Sequence, residues 1–311
     1  IAPRPNQQYQ HGHDQDQGPA KLPQRAQQLH QAVTAGQPNH HFAVAVQARQ
    51  GAHHGNEQAE GEDGGQIAQH GEPQHHAVHS HKADALVVLI PEGLQPARGP
   101  LADGLRRLLK SGHFSTQVGF HLSTFDAPGW SAKRVCFVGV GAGTASQVRQ
   151  AMTTAWGVLK VAKPEALSVW MPESNPPMLG AVMQAVADAS YVFTATKPSA
   201  KARSLKRVTL AMPDAGKHKT EFARQQALIE GVEWAKEWGN RPANHATPTM
   251  LAKAAQGLAK HRRVRCQVLG PKEVNKLGMG SFAAVAQASA EPLRFIVLHY
   301  NGAAKSQAPV V

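Results

Sequence analysis

Continuous apolar runs alternate with helical apolar stripes from residue 82 onward, and this alternation limits the possible folds more than any other feature. The first run, Ala85–Ile90, ends at Pro91 and indicates a strand that is buried on both faces. Leucines then recur at helical spacing up to residue 109. Further runs at 135–140, 166–171 and 208–212 are separated by helical stripes at 148–159 and 179–193. The pattern predicts an N-terminal α/β domain at residues 82–213, a mostly parallel sheet flanked by helices.

A second α/β domain is predicted at residues 214–311. Its first helix carries an apolar stripe from Phe222 to Trp238, with Thr220 in position to cap its start. Gly239 lies where a left-handed residue would end that helix, and Pro248 is suited to begin the next one. Strands are predicted at Val264–Leu269 and Phe295–Tyr300. Nothing in these residues closes the domain off, so we expect it to be truncated.

Residues 1–81 have a different composition from the rest of the chain. They contain 12 of the 18 histidines but only nine Leu, Ile, Val and Phe residues. Burial of so few apolar side chains does not offset the loss of conformational entropy, so we expect this segment to be disordered. Its histidine pairs would bind nickel or copper loosely, but without a fixed geometry they predict no specific metal site.

The positive charge belongs to the part of the chain that is predicted to fold. The whole chain has 33 Lys and Arg against 21 Asp and Glu, a formal net charge of +12. Basic clusters occur at Arg106–Lys110, at 197–207 and at 260–265. The middle cluster, with Lys201, Arg203, Lys206 and Arg207, is a candidate nucleic-acid contact because cations neutralise phosphates. Only 5% of the residues are aromatic, and no aromatic side chains alternate with the cations, which favours solvated surfaces as the interpretation.

The glycine-rich stretch Gly139–Gly143 follows a predicted strand and precedes a predicted helix. Backbone amides at such a turn bind phosphate groups in nucleotide-binding proteins. The glycine spacing departs from the full dinucleotide fingerprint, and no acidic residue follows on a second strand at the expected distance. A tight strand-to-helix turn is therefore the preferred interpretation, with a nucleotide-binding module as the alternative.

Other classes of chemistry have little support in the sequence. Cys136 and Cys266 lie far apart inside apolar runs, which indicates buried reduced thiols rather than a disulfide or a zinc site. The histidines after residue 82 are isolated, and no nucleophile elbow is present. No apolar run is long enough to span a membrane and no export signal is visible, so we expect a cytoplasmic protein.

Three ordered blocks in the second domain resemble the leucyl (cytosol) aminopeptidase family. The first comprises residues 231–244 with the pattern Asn-x-Pro-x-Asn, from Asn240 to Asn244, and the proline-started stretch 247–252. The second and third are residues 277–289 and the strand ending at 300–302. The resemblance covers about residues 83–311. Ala286 and Ala288 stand where the family often has glycine, and residues 1–81 resemble nothing in it.

The resemblance implies a hydrolase that removes N-terminal residues from peptides with two divalent metals, manganese or zinc. Its metal ligands include carboxylates and a lysine, in motifs of the form Gly-Lys-Gly-x-x-Phe-Asp-x-Gly-Gly and Asn-Thr-Asp-Ala-Glu-Gly-Arg. Neither motif occurs in this chain, which ends at an apolar run like the one that leads into the first motif. We therefore predict no catalytic, cofactor-binding or metal-binding residues here, and no activity for this chain alone. The resemblance also implies a homo-hexamer, and some family members bind DNA.

Overall fold

A computed structural model describes residues 43–48, 68–69, 83–95, 100–126, 130–173, 176–197, 199–304, 306–308 and 310. These residues belong to two compact units, one at 38–247 and one beginning at Pro248.

The first unit contains a seven-stranded sheet. Its strands are β1 (Ala43–Ala48), β2 (Ala68–Gln69), β3 (Ala85–Ile90), β4 (His121–Phe125), β5 (Arg134–Gly139), β6 (Ala166–Trp170) and β7 (Arg207–Ala211). They lie in the order β2-β1-β7-β6-β3-β5-β4. Every neighbouring pair is parallel except β4 and β5, which are antiparallel. The predicted mostly parallel sheet is confirmed.

Four α-helices among the described residues belong to the same unit. They are α1 (Pro100–Lys110), α2 (Ala145–Leu159), α3 (Pro176–Ser190) and α4 (Lys219–Gly239). α2 packs against α3, and α3 packs against α4. The structure thus groups α4 with the first sheet, whereas the sequence analysis placed it at the start of the second domain. The division into domains at residue 213 stays a prediction.

Strand β3 forms the centre of the core. It is hydrogen-bonded to β5 on one side and to β6 on the other, and all six of its residues are buried. Ala85, Val87 and Leu89 pack into a cluster with the inner faces of α2 and α3. Residues 86, 88 and 90 pack on the opposite face with Leu105 of α1. Burial on both faces explains why this strand is apolar without alternation.

Two strands lie inside the segment that was expected to be disordered. β1 pairs with β7 in parallel, with Ala43 opposite Arg207 and Gln47 opposite Ala211. The sequence of β1 contains alternating valines, and β-branched residues favour strands. The other residues of segment 1–81 lie outside the described residues, so the expectation that they are disordered stays a prediction.

Sequence patterns predicted the ends of α4 incorrectly. Thr220 lies inside the helix, and the position before its first residue is held by His218, which ends a 3-10 turn at Ala215–His218 and provides no side-chain cap. Gly239 is the last helical residue, and the residue after it, Asn240, has right-handed backbone angles. The Asn240 side-chain amide donates to the carbonyl of Lys236 at 2.8 Å. The side chain of Asn240 therefore satisfies a carbonyl in the last turn of the helix, a role that was expected of a left-handed Gly239.

The second unit is smaller and more open. Its elements are α5 (Pro248–Leu258), β8 (Val264–Leu269), α6 (Pro271–Lys276), α7 (Gly280–Ala286) and β9 (Phe295–Tyr300). β8 and β9 form an antiparallel pair, with Val264 opposite Tyr300, and α5 packs against β8. None of the helices in the described part of the chain combines the length and the hydropathy that a membrane-spanning helix requires.

Candidate functional site

Metal-ligating side chains do not converge in the described ranges. No three His, Cys, Asp or Glu residues within them are close enough together to hold a metal ion. Many of the described carboxylates lie instead beside cationic partners in ion pairs. The site features that remain are the glycine-rich turn, the basic cluster after α3 and the connector after α4.

The glycine-rich turn is closely covered by the segment before β4. A Cβ atom on Gly139 would lie 2.6 Å from the carbonyl carbon of Thr116 and would clash with the carbonyl oxygen of Gln117. Gly141 has a φ of 55°, a left-handed angle that other residues rarely adopt. Both glycines are thus explained by close backbone approach and by turn geometry.

Several backbone amides at this turn already have partners. The amide of Gly141 donates to the carbonyl of Thr116 at 2.8 Å, and that of Gly143 donates to Val140 at 2.9 Å. At the start of α2, Thr144 and Gln147 form a capping box in which each side chain accepts from the other's amide. Because helix N-termini bind anions through unpaired amides, this arrangement favours the tight-turn interpretation over a nucleotide site.

Arg203 of the basic cluster is a structural residue. Its side chain is 11% exposed, its Nε donates to the carbonyl of Ser190 at 3.1 Å, and its guanidinium pairs with Glu233. Nη2 also lies 3.5 Å from the carbonyl of Ala187. Arg203 therefore satisfies carbonyls at the end of α3 and joins that helix to α4.

The four cations proposed for nucleic acid do not form one available surface. Arg203 is largely enclosed and pairs with Glu233, and Lys206 pairs with Glu165 at 2.9 Å, whereas Lys201 and Arg207 are exposed. A phosphate-binding surface needs several exposed cations without neutralising partners. The described residues give the nucleic-acid alternative no further support.

The two cysteines differ in their surroundings. Cys136 is fully buried on β5, and burial raises the pKa of its thiol to about 12. Cys266 on β8 is half-buried, and both thiols are free. The prediction of burial is confirmed for Cys136 and is wrong for Cys266, whose strand lies in a unit with fewer covering elements. The reduced state of both thiols stays a prediction.

The connector between α4 and α5 contains a buried arginine. Arg241 follows Asn240, and its guanidinium carbon lies 4.2 Å from the centre of the Trp238 ring. Its Nη2 donates to Glu237 at 3.1 Å. Pro242 then has extended backbone angles and precedes a 3-10 turn at Ala243–His245. The contacts of Arg241 were not predicted from the sequence, although its spacing of four residues from Glu237 is that of a helical ion pair.

Three further ionisable groups, Tyr191, Glu221 and Glu273, have shifted pKa values. Burial raises the pKa of Tyr191, and the carboxylates of Glu237 and Glu233 add to this. Backbone hydrogen bonds from its own amide and from Gly270 lower the pKa of Glu273, which caps α6. A hydrogen bond from Gln225 is the main cause of the lowered pKa of Glu221. These groups serve helix ends and helix contacts, and they do not gather in a cleft.

Two family models match the chain in sequence. The N-terminal domain of the cytosol aminopeptidase family matches residues 92–201, and the catalytic domain of the same family matches residues 233–311. Together these segments cover more than half of the chain, in the order that the resemblance implied.

Curated relatives carry the same family name. A probable cytosol aminopeptidase from Acidovorax sp. (strain JS42) is 49% identical over 233 residues, which are 75% of this chain and 47% of that protein. Another from Verminephrobacter eiseniae is 45% identical over 236 residues, or 76% of this chain and 46% of the relative. The chain thus spans about half the length of the curated relatives it matches.

Solved structures support the fold. A tomato leucine aminopeptidase mutant, K354E, superposes with a TM-score of 0.61 at 18% identity and covers 84% of this chain and 51% of its own. The bottromycin maturation enzyme BotP in complex with Mn gives a TM-score of 0.54 at 22% identity, with 70% and 45% covered.

Proposed function

Because the chain belongs to the cytosol aminopeptidase family, we propose that it is the N-terminal α/β domain and the first part of the catalytic domain of a leucyl-type metallo-aminopeptidase. The whole enzyme would hydrolyse N-terminal residues from peptides with two divalent metals, manganese or zinc. Such metals polarise the scissile carbonyl and activate a water molecule. The observation that supports this most directly is the order of the two family matches along one chain.

The described residues of this chain do not fit a two-metal site. Such a site needs several carboxylate or imidazole ligands around each ion, and the described ranges contain no group of three. Glu233, the acidic residue at the beginning of the catalytic-domain match, is already paired with Arg203. We therefore assign this chain no step of the reaction and infer that it is inactive alone.

The role proposed for this chain is to provide a framework. In the second unit, Leu298 and Tyr300 of β9 are 47% and 68% exposed, and Leu277 and Val285 are also exposed. Several large apolar side chains exposed on so small a unit are typical of a surface that further chain covers. This supports a catalytic domain that continues beyond the part described.

The experiment compares this chain with a longer one. Residues 1–311 are joined to the remaining part of the Acidovorax sp. relative, and both proteins are assayed with Leu-p-nitroanilide and Mn²⁺. We expect hydrolysis by the chimera, its loss with a chelator and its return with added metal, and none by the 1–311 chain. Activity of the 1–311 chain would contradict the assignment of the metal ligands to the segment that the chimera takes from the relative.

Substrate class, assembly and location are proposed on the same basis. We assign to the whole enzyme peptides with a free N-terminus, a homo-hexameric assembly and a cytoplasmic location. Light scattering after gel filtration tests the assembly, since the chimera is expected at six times the mass of one chain. A monomeric chimera that is fully active would exclude the hexamer as a requirement.

A further inference from the structure

Asn301 and Gly302 form the only Asn-Gly pair in the sequence. Both residues are exposed, and they follow directly after β9, outside any helix or strand. Because glycine has no Cβ, the main chain around it adopts a wide range of angles, and its amide nitrogen is able to approach the preceding side chain. The position of the pair therefore leaves the side-chain amide of Asn301 open to attack by the main-chain nitrogen of Gly302.

The fold explains why a glycine follows Asn301. The amide of Asn301 donates to the carbonyl of Arg263 at 2.8 Å, which extends the ladder between β8 and β9 by one bond. A Cβ atom on Gly302 would overlap with the ring of Tyr300. The chain thus leaves the ladder at Asn301, and the next position favours a residue without a side chain.

The other described asparagines have settings that oppose such an attack. Asn240 donates its side-chain amide to the carbonyl of Lys236 at 2.8 Å. Asn244 lies in the 3-10 turn at Ala243–His245, and Asn275 lies inside α6. Each of the three is followed by a residue other than glycine, whose Cβ restricts the approach of its amide nitrogen.

We propose that Asn301 is a site of spontaneous deamidation. The main-chain nitrogen of Gly302 loses its proton to a solvent base and forms a bond to Cγ of Asn301. The bond from Cγ to Nδ2 breaks, and Nδ2 leaves as ammonia after taking a proton from solvent. Water then opens the resulting succinimide at either of its two carbonyls, which leaves aspartate or isoaspartate at position 301.

Both products change the end of β9. Each adds a carboxylate to the second unit, where residues 248–311 contain nine Lys and Arg against two Asp and Glu. Isoaspartate also carries the main chain through the former side-chain carbon. The added methylene alters the path of the chain after Asn301, which is the point at which the chain leaves the ladder.

The test is incubation of the native 1–311 chain in mildly alkaline buffer, followed by digestion and tandem mass spectrometry. We expect the peptide that contains residue 301 to convert to a mixture of aspartate and isoaspartate. The peptides that contain Asn240, Asn244 and Asn275 are expected to keep their side-chain amides over the same time. The proposal is overturned if position 301 does not convert, or if the other three positions convert at the same rate.

Two variants identify the converted protein. Asn301→Asp is the charge standard, and the converted fraction should elute with it from a cation-exchange column, ahead of the starting protein. Asn301→Gln is the matched control, because its longer side chain would have to close a larger ring. We expect this variant to lose the acidic fraction. Formation of the same fraction at the same rate by Asn301→Gln would place the charge change elsewhere and overturn the proposal.

Incubation in urea tests the contribution of the fold. Since Asn301 and Gly302 are exposed after β9, the native chain is expected to convert at a rate comparable to that of the unfolded chain. A position that converts in urea but not in the native protein would be shielded by the fold, which would contradict the proposal.

Discussion

The first unit buries its central strand on both faces, whereas the last strand of the second unit exposes much of its apolar surface. All six residues of β3 are buried, while Leu298 and Tyr300 of β9 are exposed. The two strands have similarly apolar sequences, Ala85–Ile90 and Phe295–Tyr300. An apolar run thus specifies a strand, whereas the burial of that strand depends on how many helices and strands are present to cover its faces.

The largest expected effect is a difference in thiol reactivity between the units. Because the pKa of Cys136 is raised from 9.0 to about 12, its thiolate fraction at pH 8 falls about a thousandfold, before limited access is counted. A thiol-specific reagent should label Cys266 in the native protein and both cysteines after unfolding.

Single-cysteine variants give the rates separately. Cys136→Ser leaves only Cys266, and Cys266→Ser leaves only Cys136. Rapid labelling of native Cys136 at pH 8 would mean that the first unit opens readily, which would remove the contrast between the units.

Truncation of a core leucine should have the next largest effect. Leu89→Ala creates a cavity between β3 and the helices α2 and α3, and is expected to lower the free energy of unfolding by about 3–5 kcal/mol. Tryptophan fluorescence in urea measures this for the first unit alone, because all five tryptophans precede residue 248.

Leu298→Ala is the control in the second unit. Since its side chain is 47% exposed, the tryptophan-monitored midpoint should not change. A shift as large as that of Leu89→Ala would show that the two units unfold together.

Two glycine-to-alanine substitutions in the first unit should change its stability in opposite directions. Gly139→Ala places a methyl group against the backbone of residues 116–117 and should cost about 3 kcal/mol. Gly157→Ala lies inside α2 with open space around it and should stabilise by about 0.5–1 kcal/mol. Urea unfolding measures both, and a neutral Gly139→Ala would contradict the close backbone approach.

A smaller loss of stability than that of Gly139→Ala is expected at the capping box of α2. Thr144→Ala removes the acceptor for the amide of Gln147 and should cost about 1 kcal/mol. Thr153→Ala, whose hydroxyl donates to the carbonyl of Arg149 within the same helix, is the control and should change stability by less. Equal losses in the two variants would assign the effect to helix propensity rather than to the cap.

Sequence patterns predicted the parts of the fold in which burial is complete. The four apolar runs of the first domain became β3, β5, β6 and β7, each within one residue of its predicted bounds. Strand β4 was not predicted, because an exposed edge strand such as His121–Phe125 has no apolar run to mark it. The ends of α4 were predicted incorrectly, since Asn240 and the preceding 3-10 turn replaced the expected caps.

The sequence by itself determined the class of fold, the family resemblance and the expectation that no site residues are present. Those conclusions depend on local periodicity and on motif strings, which are properties of the chain. Only the tertiary structure decided that Arg203 joins α3 to α4, that the amides of Gly141 and Gly143 have partners and that two nitrogens of Arg241 have none. Each of these depends on atoms that are distant in sequence, such as Thr116 beside Gly141, and a linear pattern does not encode such distances.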